Sequence, residues 1–341
     1  METKIYTATP TALAECGALI RRGDLVCFPT ETVYGLGANA MDPNAVAKIF
    51  QVKNRPANNP LIAHICRQEM LDELVSSVSE EIKELTAQFW PGPLTVVFPR
   101  TEAVPSIVSA GLDTVAVRWP EHPVAQELIR AAGVPIVAPS ANLSGRPSPT
   151  CLAHCEEDLR GKIPAILDGG PCSIGLESTV IAPMGGKKLK LLRPGGITPE
   201  MLEAVGYKVE IDPAVLSPVK EGQKVSSPGM LHKHYAPVAP LTIVTGQPEA
   251  VCAAIQKKQA KDVWVLAFDE YLNRFEQAIS FGSEKDADSQ SRALFDALRQ
   301  FDTLPCKQIY AMYPAGDGVG LAIRNRLLRA ASFRVVPAER L

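Results

Sequence analysis

Pro29-Thr30-Glu31-Thr32-Val33-Tyr34-Gly35-Leu36-Gly37 follows directly on the apolar run Leu25–Pro29. A short buried strand therefore ends in two hydroxyls flanking a carboxylate, then an aromatic ring and two glycines. Glycine lets a ligand approach the backbone closely, and hydroxyls bind polar groups. The same residues also suit an ordinary capped turn between a strand and a helix.

Working outward, helical and strand patterns interleave irregularly. Pro10 to Arg22 reads as an amphipathic helix closed by Gly23, and Pro43–Val52 as a second, with proline in its first turn. Leu61–Ile65 is a strand, followed by helical patterns near 68–76 and 79–89. Short β-rich runs come next: Leu94–Phe98, Thr114–Arg118, Pro135–Ala138, Ala165–Leu167, Thr179–Ala182 and Leu189–Leu192, with helices near 122–132 and 150–159. Many strands with few regular crossovers predict a twisted, mixed α/β sheet, not a regular doubly wound one.

The rhythm breaks over 206–239, where Asp212-Pro213, Ser217-Pro218, Ser226-Ser227-Pro228-Gly229 and Ala236-Pro237 are turn and linker chemistry. Beyond it, strands at Leu241–Thr245, Val263–Phe268, Ala278–Phe281 and Gln308–Met312 are mostly separated by helical runs at 248–259, 287–301 and 318–331. That alternation predicts a small parallel βαβ domain.

The 341 residues fit two domains of about 100–200 residues each. Thirty-five basic against 37 acidic residues give a net charge of −2, and mean hydropathy is +0.04. A balanced, ordinary globular chain has no wholesale attraction for nucleic acid or anionic membrane. Its 29 prolines exceed the usual ~5% and read as strand ends and turns. The eight cysteines are scattered without any Cys-x-x-Cys, which suits reduced thiols in a cytosolic protein better than a metal site. The amino end has no signal pattern and no run reaches membrane-span length, so a soluble, cytoplasmic protein is expected.

Further polar clusters stand at strand ends. Lys53 and Arg55 lie two apart at a helix end, before Asn58, Asn59 and the strand that carries His64. A point charge beside a forked guanidinium suits a polyphosphate, although cations at a helix C-terminus also complement its dipole. His64 within an apolar strand is also what a satisfied core histidine looks like. Arg118 ends a strand whose face it shares with Thr114 and Ala116. Ala138-Pro-Ser140-Ala-Asn142-Leu-Ser144-Gly-Arg146-Pro-Ser148 is a long hydroxyl- and amide-rich loop. Glu177-Ser178-Thr179 and Arg193-Pro-Gly-Gly196 repeat the theme. No phosphate-binding P-loop, dinucleotide fingerprint or nucleophile elbow is present.

Together, Pro29–Gly37, Lys53-x-Arg55-Pro56, Asn59-Pro-Leu61, Ala138–Asn142 with Ser144–Ser148, and Glu177–Val180 resemble the YrdC-type threonylcarbamoyl-AMP synthases. Ser227-Pro-Gly-Met230, His232, His234 and Tyr235-Ala-Pro237 look like the linker of the longer, two-domain members, which carry a Rossmann-like C-terminal domain. The resemblance implies a YrdC-like catalytic domain over 1–206, a linker or active-site lid over 207–239, and a Rossmann-like domain over 240–341. It implies synthesis of L-threonylcarbamoyladenylate from L-threonine, bicarbonate and ATP, with release of pyrophosphate. The product would serve threonylcarbamoyl-adenosine formation beside the tRNA anticodon, through a downstream transferase complex. Carried over residue by residue, Thr32, His64, Arg118, Ala138 and Ser178 would bind threonine. Lys53, Arg55, Asn59, Thr114, Ser140, Asn142, Ser148, Arg193 and Tyr235 would bind ATP, with Lys53 and Arg55 also catalytic. Mg²⁺ would accompany the triphosphate with few protein ligands. The rival reading is an RNA-binding module without turnover, based on a basic stripe at Lys187, Lys188, Lys190 and Arg193. Hydrogenase-maturation enzymes share the domain, but their acylphosphatase and zinc-finger segments are missing.

Overall fold

The computed structural model describes residues 1–56, 58–218 and 235–341. An eleven-stranded sheet carries the first part of the chain. Its spatial order is Lys4–Thr7, Ala165–Asp168, Val26–Phe28, Gly35–Asn39, Ile136–Val137, Ile62–His64, Thr114–Arg118, Leu94–Pro99, Thr179–Pro183, Lys188–Arg193, Lys208–Ile211. Parallel pairs such as Ile62–His64 with Thr114–Arg118 are interleaved with antiparallel ones such as Val26–Phe28 with Gly35–Asn39. The mixed sheet expected from the irregular rhythm is what forms.

Four short strands escaped the sequence reading, one of them Val335–Pro337 at the edge of the second sheet. Gly35–Asn39, expected as a turn, pairs Gly37 with Val26 and Gly35 with Phe28. Glycine, alanine and asparagine are poor strand formers, so propensity hides it. Packing demands it: a Cβ on Gly37 would lie 2.8 Å from the Phe28 ring and 2.9 Å from Ile136 Cγ2. Lys4–Thr7 and Lys208–Ile211 are edge strands, largely exposed, with no clean burial alternation to read. The second of these adds to the sheet a stretch read as the start of the linker.

Pro10 and Pro43 open helices as read, and Pro123 and Pro199 do the same. Pro10, Pro43, Pro123 and Pro199 each occupy the first helical turn, where the missing N–H costs nothing. In each case the preceding side chain (Thr9, Asp42, His122, Thr198) accepts a backbone N–H of the first turn.

The second sheet has five strands, all parallel, in the order Ala278–Ser280, Val263–Ala267, Gln308–Met312, Leu241–Thr245, Val335–Pro337. Helices Pro248–Gln256, Ala287–Gln300 and Gly320–Ala330 flank it, as the regular alternation predicted for a Rossmann-like unit. Two of them dock the catalytic sheet. Arg299 donates to Pro147 O at 2.7 Å and Asp158 Oδ2 at 2.6 Å, and Asp296 Oδ1 meets His154 Nε2 at 2.9 Å. Ser291 Oγ donates to Ile174 O at 2.8 Å, and Asn325 Nδ2 to Val215 O at 2.6 Å. Gly175, at φ +82°, lets this contact close, since a Cβ there would lie 2.5 Å from Ser291 O. Every residue of Gly320–Ala330 except Arg324 is buried, because its apolar side packs its own sheet and its polar side meets the other domain. Among the described residues no helix is long and apolar enough to cross a membrane. All eight cysteines are free.

Candidate active site

A cleft of about 620 Å³, counted to its open mouth, lies at the ends of the central strands. Thr32, Arg55, His64, Arg118, Ala138, Ser140, Ser178, Arg193 and Tyr235 all line it, so most of the residues singled out in the sequence meet there. His64 and Arg118 come together because their strands are parallel and pair them directly.

One half of the cleft is built by the strand ends that carry His64 and Arg118 and by the loop between Val26–Phe28 and Gly35–Asn39, whose Val33 packs in the second domain's core. Arg118, 3% exposed, donates from Nη1 to Thr32 Oγ1 at 2.8 Å and from Nε to Gly92 O at 3.2 Å, and pairs through Nη2 with Glu31 Oε1 at 2.5 Å. Thr30 gives its proton to Val33 O at 2.7 Å, so the 2.8 Å contact between the hydroxyls is Thr32 donating to Thr30. Burial pushes the Glu31 carboxyl up, but the charge and hydrogen bond of Arg118 outweigh it and hold it below the ordinary value. Beside them, burial and then the charge of Arg118 pull His64 down to about 3. The imidazole is therefore neutral, and its buried Nδ1 has no protein partner. A fixed cation, two hydroxyls and a neutral ring form a place for a small zwitterion: carboxylate on Arg118, hydroxyl and amine among the others.

The other half is assembled from several elements. Arg193 donates from Nε to Ser178 O and from Nη2 to Ser178 Oγ, both at 3.0 Å, and Ser178 Oγ lies 2.7 Å from Thr95 Oγ1. Gly195 allows this approach, since a Cβ there would run into Thr179 N and Glu177 O. Arg55 donates to Pro60 O at 3.2 Å while its buried Nε is unpartnered. Burial draws both Arg55 and Arg193 down to about 10, which leaves each charged at neutral pH. Tyr235, at φ +63°, enters from the second domain's side, 5.2 Å from the Phe295 ring.

Lys53 and Arg55, two apart in sequence, diverge. Asn54 adopts the left-handed conformation (φ 51°) that ends the helix Pro43–Lys53. Lys53 consequently points inward, donating to the carbonyls of Ser140 and Asn142, and does not line the cleft. Burial, then the neighbouring Arg55, lowers its pKa to about 7. Asn142 likewise folds its own loop, donating to Leu143 O at 2.8 Å and Arg146 O at 2.9 Å. Asn59 is buried with Oδ1 unpartnered, outside the lining. Thr114 stands at the far end of its strand from Arg118, also outside the lining. Ser148 is buried behind the cleft and donates to Glu177 Oε1. The lid residues Gly229, His232 and His234 fall outside the described residues.

Sequence reading missed Thr30, Glu31 and Glu177 as site residues, although all stand in the quoted motifs. Glu177 lines the cleft, yet its other oxygen accepts from Arg326 Nε of the second domain at 2.8 Å. No local pattern could have pointed to a partner 149 residues away. Among the described residues no group of three His, Cys, Asp or Glu is placed to hold a metal ion. Glu177 at the cleft wall and Glu31, outside the lining, are each tied to an arginine. Two of the four residues of the basic stripe are paired, Lys187 with Glu84 at 3.2 Å and Lys190 with Asp212 at 2.9 Å, and Arg193 turns into the cleft.

A family model described as "Telomere recombination" matches residues 18–195, and one described as "Threonylcarbamoyl-AMP synthase, C-terminal domain" matches 197–332. Threonylcarbamoyl-AMP synthase of Bacillus subtilis is 46% identical over 95% of this chain and 94% of its own. The synthase of Pyrococcus abyssi is 45% identical over 93% of each. The crystal structure of Pyrococcus abyssi Sua5 complexed with L-threonine superimposes with a TM-score of 0.89 at 42% identity, covering 98% of both chains. Full-length similarity and the two successive domain matches lead to one assignment: the chain belongs to the Sua5 and YrdC family, in its two-domain, threonylcarbamoyl-AMP synthase form.

Proposed function

We propose that this protein joins L-threonine, bicarbonate and ATP into L-threonylcarbamoyladenylate and pyrophosphate. The observation that carries the reading is the division of one cleft into a zwitterion pocket around Arg118 and a cationic half around Arg55 and Arg193. Threonine's amine and bicarbonate condense to a carbamate with loss of water. A carbamate oxygen then attacks the α-phosphorus, and the bond to pyrophosphate breaks. Both reactants are anions, so the chain's task is to offset their repulsion and hold them in line. Arg118 seats the carboxylate. His64, neutral throughout the physiological range, accepts a hydrogen bond without adding charge. Arg55 and Arg193 face the phosphates, and Tyr235 closes that side. Lys53 braces the Ser140–Asn142 loop from behind, giving it a positioning role in this arrangement. Mg²⁺ enters with ATP as part of the substrate, held by the triphosphate, since neither Glu31 nor Glu177 is free to ligate it. Asn59, Thr114 and Asn142 do not line the cleft. The product goes to a transferase complex that modifies tRNA beside the anticodon, in the cytoplasm.

The test is pyrophosphate release from ATP and Mg²⁺, with and without bicarbonate, comparing L-threonine, L-serine and no amino acid. Release that requires both threonine and bicarbonate supports the reading. Release indifferent to threonine overturns the substrate assignment, and silence from folded protein overturns the activity.

A further inference from the structure

Glu177 poses an electrostatic problem. It is a carboxylate on the wall of a cleft whose other charged groups are cations awaiting a polyanion. It is buried, at 6% exposure, and left alone it would repel ATP. The answer comes from the second domain. Arg326, fully buried in the helix Gly320–Ala330, donates from Nε to Glu177 Oε2 at 2.8 Å and from Nη2 to Glu177 O at 3.2 Å. Its Nη1 donates to Pro194 O, next to Arg193, and to Asn325 Oδ1. Its guanidinium carbon sits 5.8 Å from the centre of the Tyr235 ring. Ser148 donates to the remaining carboxylate oxygen.

One arginine thus touches Glu177 and Pro194 by hydrogen bonds and lies near Tyr235, the three points from which Ser148, Arg193 and the aromatic wall are held. We infer that Arg326 is a positioning residue through which the C-terminal domain completes the ATP half of the cleft, by neutralising Glu177 and fixing the segments around it. It does nothing comparable for the Arg118 pocket, with which it shares no contact. The inference rests on the nucleotide reading proposed above.

The surroundings of Glu177 predict how the site fails without this arginine. The charged and titratable groups acting on Glu177 are Arg326 and Arg193, and Tyr235 with Arg329 lie in the same cluster. Burial pushes the Glu177 carboxyl up, and Arg326, followed by Arg193 and the Ser148 hydroxyl, brings it below the ordinary value. Without Arg326 the carboxyl takes up a proton more readily. When ionised it opposes ATP, and when protonated it does not.

Arg326→Met should therefore raise the KM for ATP at least tenfold at pH 8 and distinctly less at pH 6. The Kd for L-threonine, measured by calorimetry without nucleotide, should stay within twofold of the wild type. Adding Glu177→Gln to Arg326→Met should recover most of the ATP KM, because the orphaned charge goes with its partner. Asp296→Asn, which breaks a different interdomain pair, should leave the ATP KM unchanged. If Arg326→Met does not fold, the double variant decides: an ATP KM near wild type supports the role, and one raised tenfold or more overturns it. A defect equal for threonine and ATP, independent of pH, or reproduced by Asp296→Asn also overturns it. Wild-type protein that releases no pyrophosphate would instead sink the proposed function.

Discussion

The two halves of the cleft are built on different plans. The pocket around Arg118 draws on two paired strand ends and one loop of the first domain, and the charge of Arg118 is answered by Glu31, less than ninety residues away in the chain. The half around Arg193 and Tyr235 is closed by a helix from another domain, at a separation of 149. The first is set largely by sheet register, which pairs His64 directly with Arg118. The second depends on how two domains dock, and domain docking is softer than a sheet. Recognition of a small zwitterion is therefore fixed early in the architecture, and recognition of the nucleotide is shared.

The sharpest break should come from Arg118→Ala. It strands the buried Glu31 carboxylate, and losing one partner of a buried pair costs roughly 3–5 kcal/mol. Denaturant unfolding should register that loss, and threonine binding should vanish in calorimetry. Tyr235→Ala comes next, with about a tenfold weaker use of ATP, or ~1.4 kcal/mol. If the halves are separate, threonine affinity in that variant is unchanged, and equal loss of both ligands would merge them. Ser148→Ala removes one hydrogen bond to Glu177 and should raise the ATP KM only a few-fold, again sparing threonine. The smallest effect is that of pH. His64, held down at about 3, stays neutral, so it gives threonine affinity no slope between pH 6 and 8. For stability the sign is the reverse of a salt-bridged histidine. The unfolded chain takes up a proton below about pH 6.5 and the folded one does not, so His64 weakens the fold as pH falls toward 3. A flat binding profile by calorimetry between pH 6 and 8 checks the first statement, and acid titration of thermal unfolding the second.

How much of this was legible in the sequence follows the same division. Strands with apolar burial, four of the five strands of the parallel unit and the cleft motifs could be read because local composition carries them. Gly35–Asn39 could not, since its glycines serve Phe28 and Ile136 across the sheet and not strand propensity. Lys53 and Arg55 were legible as a pair of cations, but not their divergence, which hangs on the left-handed Asn54 between them. Arg326 was silent altogether. It sits mid-helix beside Arg324, Asn325 and Arg329, and nothing local marks which of these polar residues meets another domain.

The distance along the chain between Glu177 and Arg326 has a temporal meaning as well. A ribosome adding roughly 5–20 residues per second needs on the order of ten seconds to pass from one to the other. Within that interval the last three strands of the first sheet are made, and Glu177 lacks its counter-charge throughout. Competence to use ATP is thus acquired late in synthesis. A chain released before the helix Gly320–Ala330 is made would retain amino-acid recognition but be a poor adenylating enzyme.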